Sequence, residues 1–293
     1  MKLLKVRHIT RYRYARPVRF GEHRMMLRPR EDADQRLLSE RLVITPTPQR
    51  LRLERDPVGN FVAVAQFAGQ ASELRFDSEV VVARQIEPPP LAVPLPALRP
   101  FPRSPADDLG SSVEGWASRF LGRRAAAGLP AIAAMTAQVH RAFAYRRRLE
   151  RGVQSPEQTL ALRSGACRDF AVLIGAGARA LGLKARFVSG YVHCGDIGDA
   201  PRSAGGHTHA WAQVLTPEAG WVDFDATSGQ VGSEGLIRVA VAEDPADTVP
   251  ISGSYQGEAD DFLHMEVAVA VEAASPLPDS LPRFEPSPLW SVA

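Results

Sequence analysis

The segment that most constrains this sequence is a short run in which a glycine turn leads into a cysteine and then a helical pattern. It reads Ser164-Gly165-Ala166-Cys167-Arg168-Asp169-Phe170-Ala171, and the pattern predicts a helix that runs to about Leu181. A cysteine in the first turn of a helix faces unpaired backbone N–H groups and the positive end of the helix dipole, and both favour an anion. Because the thiolate is the nucleophilic form of cysteine, this position lowers the cost of making a nucleophile.

Two later segments supply candidate partners for this cysteine. They read His209-Ala210-Trp211-Ala212-Gln213-Val214 and Gly220-Trp221-Val222-Asp223-Phe224-Asp225-Ala226-Thr227, and both are typical of strands. A cysteine followed by a histidine and an aspartate fits a nucleophile, a base and a group that orients the base. Residues two apart share a strand face, so spacing alone does not separate His209 from His207, or Asp225 from Asp223.

The three segments resemble the signatures of the bacterial transglutaminase-like family, a branch of the papain-like cysteine enzymes. The matching motifs are Gly-Ala-Cys-Arg-Asp-Phe-Ala, His-Ala-Trp and Trp-Val-Asp-Phe-Asp-Ala-Thr, where Ala226 stands at the family's usual proline. Residues 6–14, 27–30 and 56–60 resemble the β-rich domain that precedes the catalytic core in this family. The resemblance implies that Cys167 is the nucleophile, that His209 is the base and that Asp225 is the orienting carboxylate.

The resemblance also implies an activity and further candidate site residues. The implied reaction is acyl transfer from a peptide, isopeptide or glutamine amide through a thioester. Hydrolysis by a peptidase or amidase is favoured, and the alternatives are glutamine transamidation or a non-catalytic scaffold or peptide-processing partner. The candidates for the oxyanion hole or for substrate contacts are Tyr145, Arg168, His207 and Trp211. Arg168 is expected to point outward near the entrance. Asp169 is interpreted instead as a charge partner for the helix N-terminus.

The pattern along the chain predicts an α+β protein in two domains. Short alternating segments in residues 1–86 predict an antiparallel β-sandwich, and the proline-rich residues 87–107 predict a semi-rigid linker. Residues 108–273 are assigned to a papain-like, transglutaminase-like catalytic domain in which the cysteine helix packs on an antiparallel sheet. Residues 274–293 are a second proline-rich segment, interpreted as a surface tail.

Composition and charge give no support for a nucleic-acid or membrane partner. A net charge of +2 gives no argument for binding nucleic acid or an anionic membrane, and no segment is apolar for long enough to span a bilayer. The first residues carry charges at short intervals and lack the apolar core of a secretion signal, so a cytoplasmic location is expected.

The same reading leaves no role for a metal or an organic cofactor. Two cysteines allow at most one disulfide, and Cys194 is interpreted as a passive thiol. A metal site made of His193, Cys194, His207 and His209 matches no common zinc spacing, and no calcium loop is present. No cofactor is therefore expected. The expected partners are a peptide or protein substrate and, by association with the family, peptide-ligase-type proteins.

Overall fold

A long first strand organises the N-terminal sheet of the computed structural model, which describes residues 2–85, 112–121, 127–148, 150–193 and 208–274. The first five strands are β1 (Lys2–Met25), β2 (Gln35–Thr45), β3 (Arg50–Arg55), β4 (Phe61–Gln66) and β5 (Ala71–Arg84). They lie in the order β2-β5-β1-β4-β3, and every pairing is antiparallel. Apolar side chains of both halves of β1 meet those of the other strands in a shared core, as expected for a sandwich.

Four helices and a short strand pair make up the described residues at the start of the second domain. The helices are α1 (Val113–Ser118), α2 (Leu129–Ala142), α3 (Pro156–Leu162) and α4 (Cys167–Ala180), and the parallel pair is β6 (Ala144–Tyr145) with β7 (Ser164–Gly165). A capping box begins α3: the Ser155 hydroxyl accepts from the Gln158 backbone N–H, while the Gln158 side chain accepts from the Ser155 backbone N–H. Residues 145 and 165 are paired, so the segment after α2 lies directly beside the start of α4.

A second antiparallel sheet carries α4 on one face. Its strands are β8 (Ala185–Val192), β9 (His209–Thr216), β10 (Gly220–Asp225), β11 (Gln230–Val231) and β12 (Leu236–Ala242), in the order β11-β10-β9-β8-β12. Alternate residues of β9 and β10, among them Ala212, Val214 and Phe224, pack against Leu173 and Ile174 of the helix. This arrangement of a buried helix on an antiparallel sheet confirms the predicted α+β class.

The chain then returns to the N-terminal sheet. The last described strands are β13 (Ile251–Gln256) and β14 (Phe262–Ala273), and both pair with β1 rather than with the second sheet. The register of β14 runs from Leu4 opposite Ala273 to Tyr14 opposite Phe262. The sequence pattern predicts that the catalytic domain extends to residue 273. Valines of β14 instead extend the apolar face of β1, where they join Leu4 and Val6 in one core with residues of β8 and β12.

Side-chain amides of the N-terminal domain hold the edge of the second sheet. Gln35 donates to the Arg238 carbonyl (2.8 Å) and accepts from the Arg238 N–H (2.9 Å), as a neighbouring strand would. Asn60 makes the same pair of bonds with Val241, at 2.8 and 2.9 Å. The edge of β12 is therefore satisfied by residues some 180 to 200 positions earlier in the chain. None of the helices in the described part of the chain reaches the length and apolar character needed to cross a membrane.

Candidate active site

The cysteine occupies the position that the sequence predicts, at the first residue of α4. Cys167 is partly exposed, and the helix continues to Ala180 with Leu181 as its C-cap. The first N–H groups of an α-helix have no partner inside the helix, so they remain available to a negatively charged atom beside Cys167. Gly165, two residues before Cys167, has no room for a side chain, because a Cβ there would lie 2.8 Å from Cβ of Asp169.

The ends of two neighbouring strands bring a histidine and an aspartate together beside this cysteine. His209 is the first residue of β9 and Asp225 is the last residue of β10. The Nε2 atom of His209 lies 2.9 Å from Oδ2 of Asp225, and both side chains are buried. The imidazole also lies close enough to Cys167 for that side chain to help raise its pKa. Because Nε2 faces Asp225, Nδ1 is the ring nitrogen left to exchange a proton with the sulfur.

The electrostatics of this group favour a charged imidazole. Burial by itself would lower the pKa of His209. The charge of Asp225 and the hydrogen bonds with Asp225 and Cys167 outweigh burial, and they raise this pKa well above its ordinary value of 6.5. Burial by itself would likewise raise the pKa of Asp225. The charge of His209 and the hydrogen bonds from His209, Ser228 and Thr227 lower it instead.

A tight turn after β10 fixes the aspartate. Oδ1 of Asp225 accepts from the Thr227 N–H at 2.9 Å, and Oδ2 accepts from the Ser228 hydroxyl at 2.7 Å. The same turn is held from α2, where Nδ1 of His140 lies 2.9 Å from the Thr227 carbonyl oxygen. Asp225 is therefore oriented by two groups other than the imidazole, and His140 holds the turn that supplies them. No local pattern in the sequence indicates this role of His140.

Asp169 has the structural role that the sequence analysis assigned to it. Its Oδ2 accepts from the Ala166 N–H at 2.8 Å, which caps α4 just before the nucleophile. Its Oδ1 accepts from the Arg148 guanidinium and from the Gln154 N–H, each at 2.7 Å. Asp169 thus ties the start of α4 to the segment between β6 and α3. Arg168 does not project freely: it is partly buried, and its guanidinium donates to backbone carbonyls of that segment.

Trp211 is not a substrate contact, which corrects one assignment made from the sequence. Its side chain is fully buried, and its indole N–H donates to Oδ1 of Asp223 at 2.8 Å. The indole stacks on the imidazole of His209, with ring centroids 6.0 Å apart and planes inclined by 29°. The two aspartates of β10 therefore separate clearly, because Asp225 contacts His209 whereas Asp223 contacts Trp211.

Tyr145 lies next to the nucleophile. Burial, together with the neighbouring charge of Cys167, raises the pKa of Tyr145 to about 12, so its hydroxyl keeps its proton at neutral pH and can donate a hydrogen bond. The cationic side chains of Arg147 and Arg168 also lie close enough to act on this hydroxyl. His207, the remaining substrate-contact candidate, and Cys194 lie outside the described residues. In the described ranges no three His, Cys, Asp or Glu side chains cluster as a metal site would.

Two family models match consecutive parts of the sequence. Residues 4–83 match the bacterial transglutaminase-like N-terminal region, and residues 116–226 match the transglutaminase-like superfamily. The second match contains Cys167, His209 and Asp225. The two matches follow the division into an N-terminal sheet and a second domain with the cysteine helix.

Whole-chain relatives are found among both sequences and solved structures. Uncharacterised proteins of Mycobacterium bovis and Mycobacterium tuberculosis are 30% identical over 272 residues, covering 85% of this chain and 86% of theirs. A solved structure of a candidate cysteine protease from Cytophaga hutchinsonii superposes with a TM-score of 0.64. It covers 94% of this chain and 93% of its own, at 22% identity, so the likeness concerns the fold.

Proposed function

This chain belongs to the transglutaminase-like superfamily, and from that premise we propose that it is a cysteine-dependent acyl-transfer enzyme. Its substrates would be amides of peptides, isopeptides or glutamine side chains, and the proposed outcome is hydrolysis. The observation that carries the proposal is the position of His209, whose imidazole hydrogen-bonds Asp225 and lies close enough to Cys167 to feel its charge. A buried imidazole held between a thiol and a carboxylate is suited to accept and return a proton during acyl transfer.

The reaction can be written through these three residues. The Cys167 thiolate attacks the amide carbonyl carbon, and the carbonyl π electrons move to oxygen. When the tetrahedral intermediate collapses, the C–N bond breaks and the His209 imidazolium gives its proton to the leaving amine or ammonia. A thioester remains on Cys167. Water, deprotonated by the now neutral His209, attacks the thioester carbonyl carbon. The C–S bond then breaks, which releases a carboxylic acid and restores the Cys167 thiolate beside the His209 imidazolium. Asp225 keeps the imidazole in one orientation and stabilises its charged form.

Two donors are suited to the oxyanion. The backbone N–H of Cys167 lies at the free start of α4, where helix N–H groups have no internal partner. The hydroxyl of Tyr145 is the second candidate, because it remains protonated at neutral pH and lies beside Cys167. A Tyr145→Phe variant would lose one such donor, for which a decrease in turnover of about 10²-fold is typical.

The nucleophile that attacks the thioester decides which of two reactions follows. Attack by water gives hydrolysis, whereas attack by a primary amine gives transamidation. The likeness to a candidate cysteine protease favours hydrolysis, although it concerns the fold. A scaffold without catalytic activity, or a partner of peptide-processing proteins, is the alternative function. The His209–Asp225 pair beside Cys167 argues against a scaffold, because burying this imidazole and this carboxylate costs free energy.

A substrate screen tests the proposal directly. Wild type, Cys167→Ala and Cys194→Ala would be incubated with peptide libraries, isopeptides and glutamine peptides, including acidic sequences because the charges of Arg147 and Arg168 reach the Tyr145 hydroxyl. Released ammonia, incorporated amine and new peptide termini would each be quantified. We expect activity in wild type and in the Cys194 variant and none in Cys167→Ala. Activity that survives in Cys167→Ala would remove this cysteine from the mechanism. A folded wild type that fails to form a thioester with any activated acyl donor would favour the scaffold.

A further inference from the structure

We infer that the N-terminal domain positions the imidazole of His209, and that Arg238 is the positioning residue through which it does so. The inference rests on the proposed function, because it assigns a purpose to the placement of that ring. It begins with the indole of Trp211, which stacks on the imidazole and is itself fully buried. The imidazole of His209 is held by Asp225 at its edge and by the indole of Trp211 at its face. If the indole moves, the imidazole loses the contact that fixes its orientation.

Asp223 fixes the indole. Its Oδ1 accepts from Nε1 of Trp211 at 2.8 Å, and its Oδ2 accepts from Nη1 of Arg238 at 2.7 Å. Both Asp223 and Arg238 are almost completely buried. A carboxylate buried at this depth is stabilised only when a cation and hydrogen-bond donors complete its surroundings. The position of Asp223, and with it that of Trp211, therefore depends on where Arg238 is held.

The N-terminal domain holds Arg238. Its Nε lies 3.2 Å from Oδ2 of Asp32, and its Nη2 contacts Asp34, so the three donor directions of the guanidinium reach three carboxylates. Two of these carboxylates precede β2, and only Asp223 belongs to the second domain. The backbone of Arg238 is fixed from the same side, through the paired bonds to the Gln35 amide.

Stability alone does not explain the buried guanidinium of Arg238 and its three carboxylates. Burying a guanidinium and its carboxylates costs desolvation, and apolar residues of similar volume commonly stabilise a protein as well or better. The guanidinium of Arg238 is planar, and its N–H groups point in fixed directions. It therefore sets the orientation of each carboxylate that it binds, which apolar packing does not do. The chain of contacts runs from Asp32 and Asp34 through Arg238, Asp223 and Trp211 to the ring of His209, which gives the N-terminal domain a direct mechanical link to the candidate active site.

The test uses Cys167 itself as the reporter, so that no substrate is needed. The rate of alkylation by iodoacetamide would be followed from pH 4 to 10 by mass spectrometry of the peptide that contains Cys167. A paired imidazolium keeps a thiolate present at mildly acidic pH, whereas an isolated cysteine becomes reactive around pH 8.5. The variants are Asp223→Asn, whose single side-chain oxygen can face Trp211 or Arg238 but not both and carries no charge, and the double variant Asp32→Asn with Asp34→Asn. Thermal unfolding of each variant would show that it is folded.

The matched control is Glu40→Gln. It removes a 2.6 Å ion pair with Arg28, which is also partly buried in the N-terminal domain, and the described contacts of this pair do not reach β9, β10 or β12. We expect alkylation at pH 6 to fall about tenfold in Asp223→Asn, to fall several-fold in the double variant and to stay within twofold in Glu40→Gln, as for coupling through packed networks. The pH midpoint should rise in the same order, which loss of stability alone would not produce.

The outcomes separate the inference from the proposed function. Wild type that becomes reactive only near pH 8.5 would overturn the Cys167–His209 pair and with it the proposed function. Wild type that reacts at low pH, with all three variants unchanged, would overturn the inference and leave the function standing. An effect in Asp223→Asn without one in the Asp32 and Asp34 double variant would overturn the role of the N-terminal domain.

Discussion

The imidazole of His209 and the carboxylate of Asp225 meet at 2.9 Å where two neighbouring strands begin and end. The strand order places β9 and β10 side by side, so the first residue of one lies beside the last residue of the other. The start of α4 supplies the sulfur from the helix that covers this sheet. Three segments that are distant in sequence thus converge at one corner of the second domain.

Removing the charge of Asp225 should disable the proposed enzyme without unfolding it. Asp225→Asn retains an oxygen and the size of the side chain but cannot stabilise an imidazolium, and we expect turnover to fall by about 10³- to 10⁴-fold. Ser228→Ala is the milder companion, since it removes one hydrogen bond to Asp225 and should cost about tenfold. Steady-state kinetics of the two variants on one substrate give the comparison. Equal rates in wild type and Asp225→Asn would exclude an orienting carboxylate.

Two buried histidines should carry different charges at neutral pH. His209 has a raised pKa because Asp225 outweighs its burial, whereas burial without a charged partner lowers the pKa of His8 to about 4. We expect ¹⁵N NMR of the histidine rings at pH 7 to show two protonated nitrogens in His209 and one in His8. Assignment follows from the loss of the matching signals in His209→Gln and His8→Gln. A neutral ring at His209 would contradict the ion pair with Asp225.

Acidification should destabilise the fold through His8. This ring lies between Tyr191 and Thr10, at 3.0 and 2.8 Å, and it binds a proton less tightly when folded than when unfolded. Stability is therefore lost as the pH falls from about 6.5 toward 4, by up to about 3 kcal/mol. Urea unfolding at pH 7.0 and 4.5 should show a smaller difference in His8→Gln than in wild type. The exposed His264→Gln serves as the control and should behave like wild type.

The close approach at Gly190 should not tolerate a methyl group. A Cβ at this residue would lie 2.0 Å from the Ile237 carbonyl oxygen and 2.8 Å from the ring of Trp211. Gly190→Ala should therefore lower the free energy of unfolding by about 1–3 kcal/mol, as overpacked cores do. Gly175→Ala in α4 is the matched change, because its Cβ would make only ordinary contacts at 3.5 Å and beyond, and it should be neutral or stabilising. Thermal denaturation distinguishes the two.

Loss of the Asp169 charge should loosen the segment beside the nucleophile. Asp169→Asn leaves Arg148 without its buried partner and weakens the bonds to the Ala166 and Gln154 N–H groups, so a loss of roughly 3 kcal/mol is expected. Limited proteolysis should then cut between residues 148 and 154 sooner than in wild type. Glu157→Gln, an exposed acid in the first turn of α3, should change stability by under about 1 kcal/mol. An equal rate of proteolysis in Asp169→Asn and in wild type would show that Asp169 does not hold this segment in place.

Features with a local signal could be predicted from the sequence. The helix from Cys167 and the strands that contain His209 and Asp225 follow from short-range patterns, and the structure confirms them. The choice of Asp225 over Asp223 came from the family resemblance rather than from spacing. The structure distinguishes them by contact, since only Asp225 reaches His209.

Features that depend on distant partners could not be predicted in the same way. An alternating strand such as β14 carries no mark of which sheet it joins, and its pairing with β1 connects residues about 250 positions apart. The assignment of Trp211 as a substrate contact was wrong. A strand pattern predicts which face of the sheet carries the side chain, but it does not predict whether other residues bury that face. Arg238 offered a usable signal, since it is the one charged residue in Leu-Ile-Arg-Val-Ala-Val-Ala, and a lone charge in a buried strand requires a partner.

The return of the chain to β1 makes the first strand of the protein dependent on one of the last. On the ribosome, β1 emerges long before β13 and β14 are translated, so one of its hydrogen-bonding edges is exposed while the whole second domain is being synthesised. Expression of the cysteine-bearing half alone would also remove Gln35 and Asn60 from the edge of β12. Fragments cut at the apparent boundary between domains would therefore each carry an open strand edge, and full-length chains are the sound starting point for biochemistry.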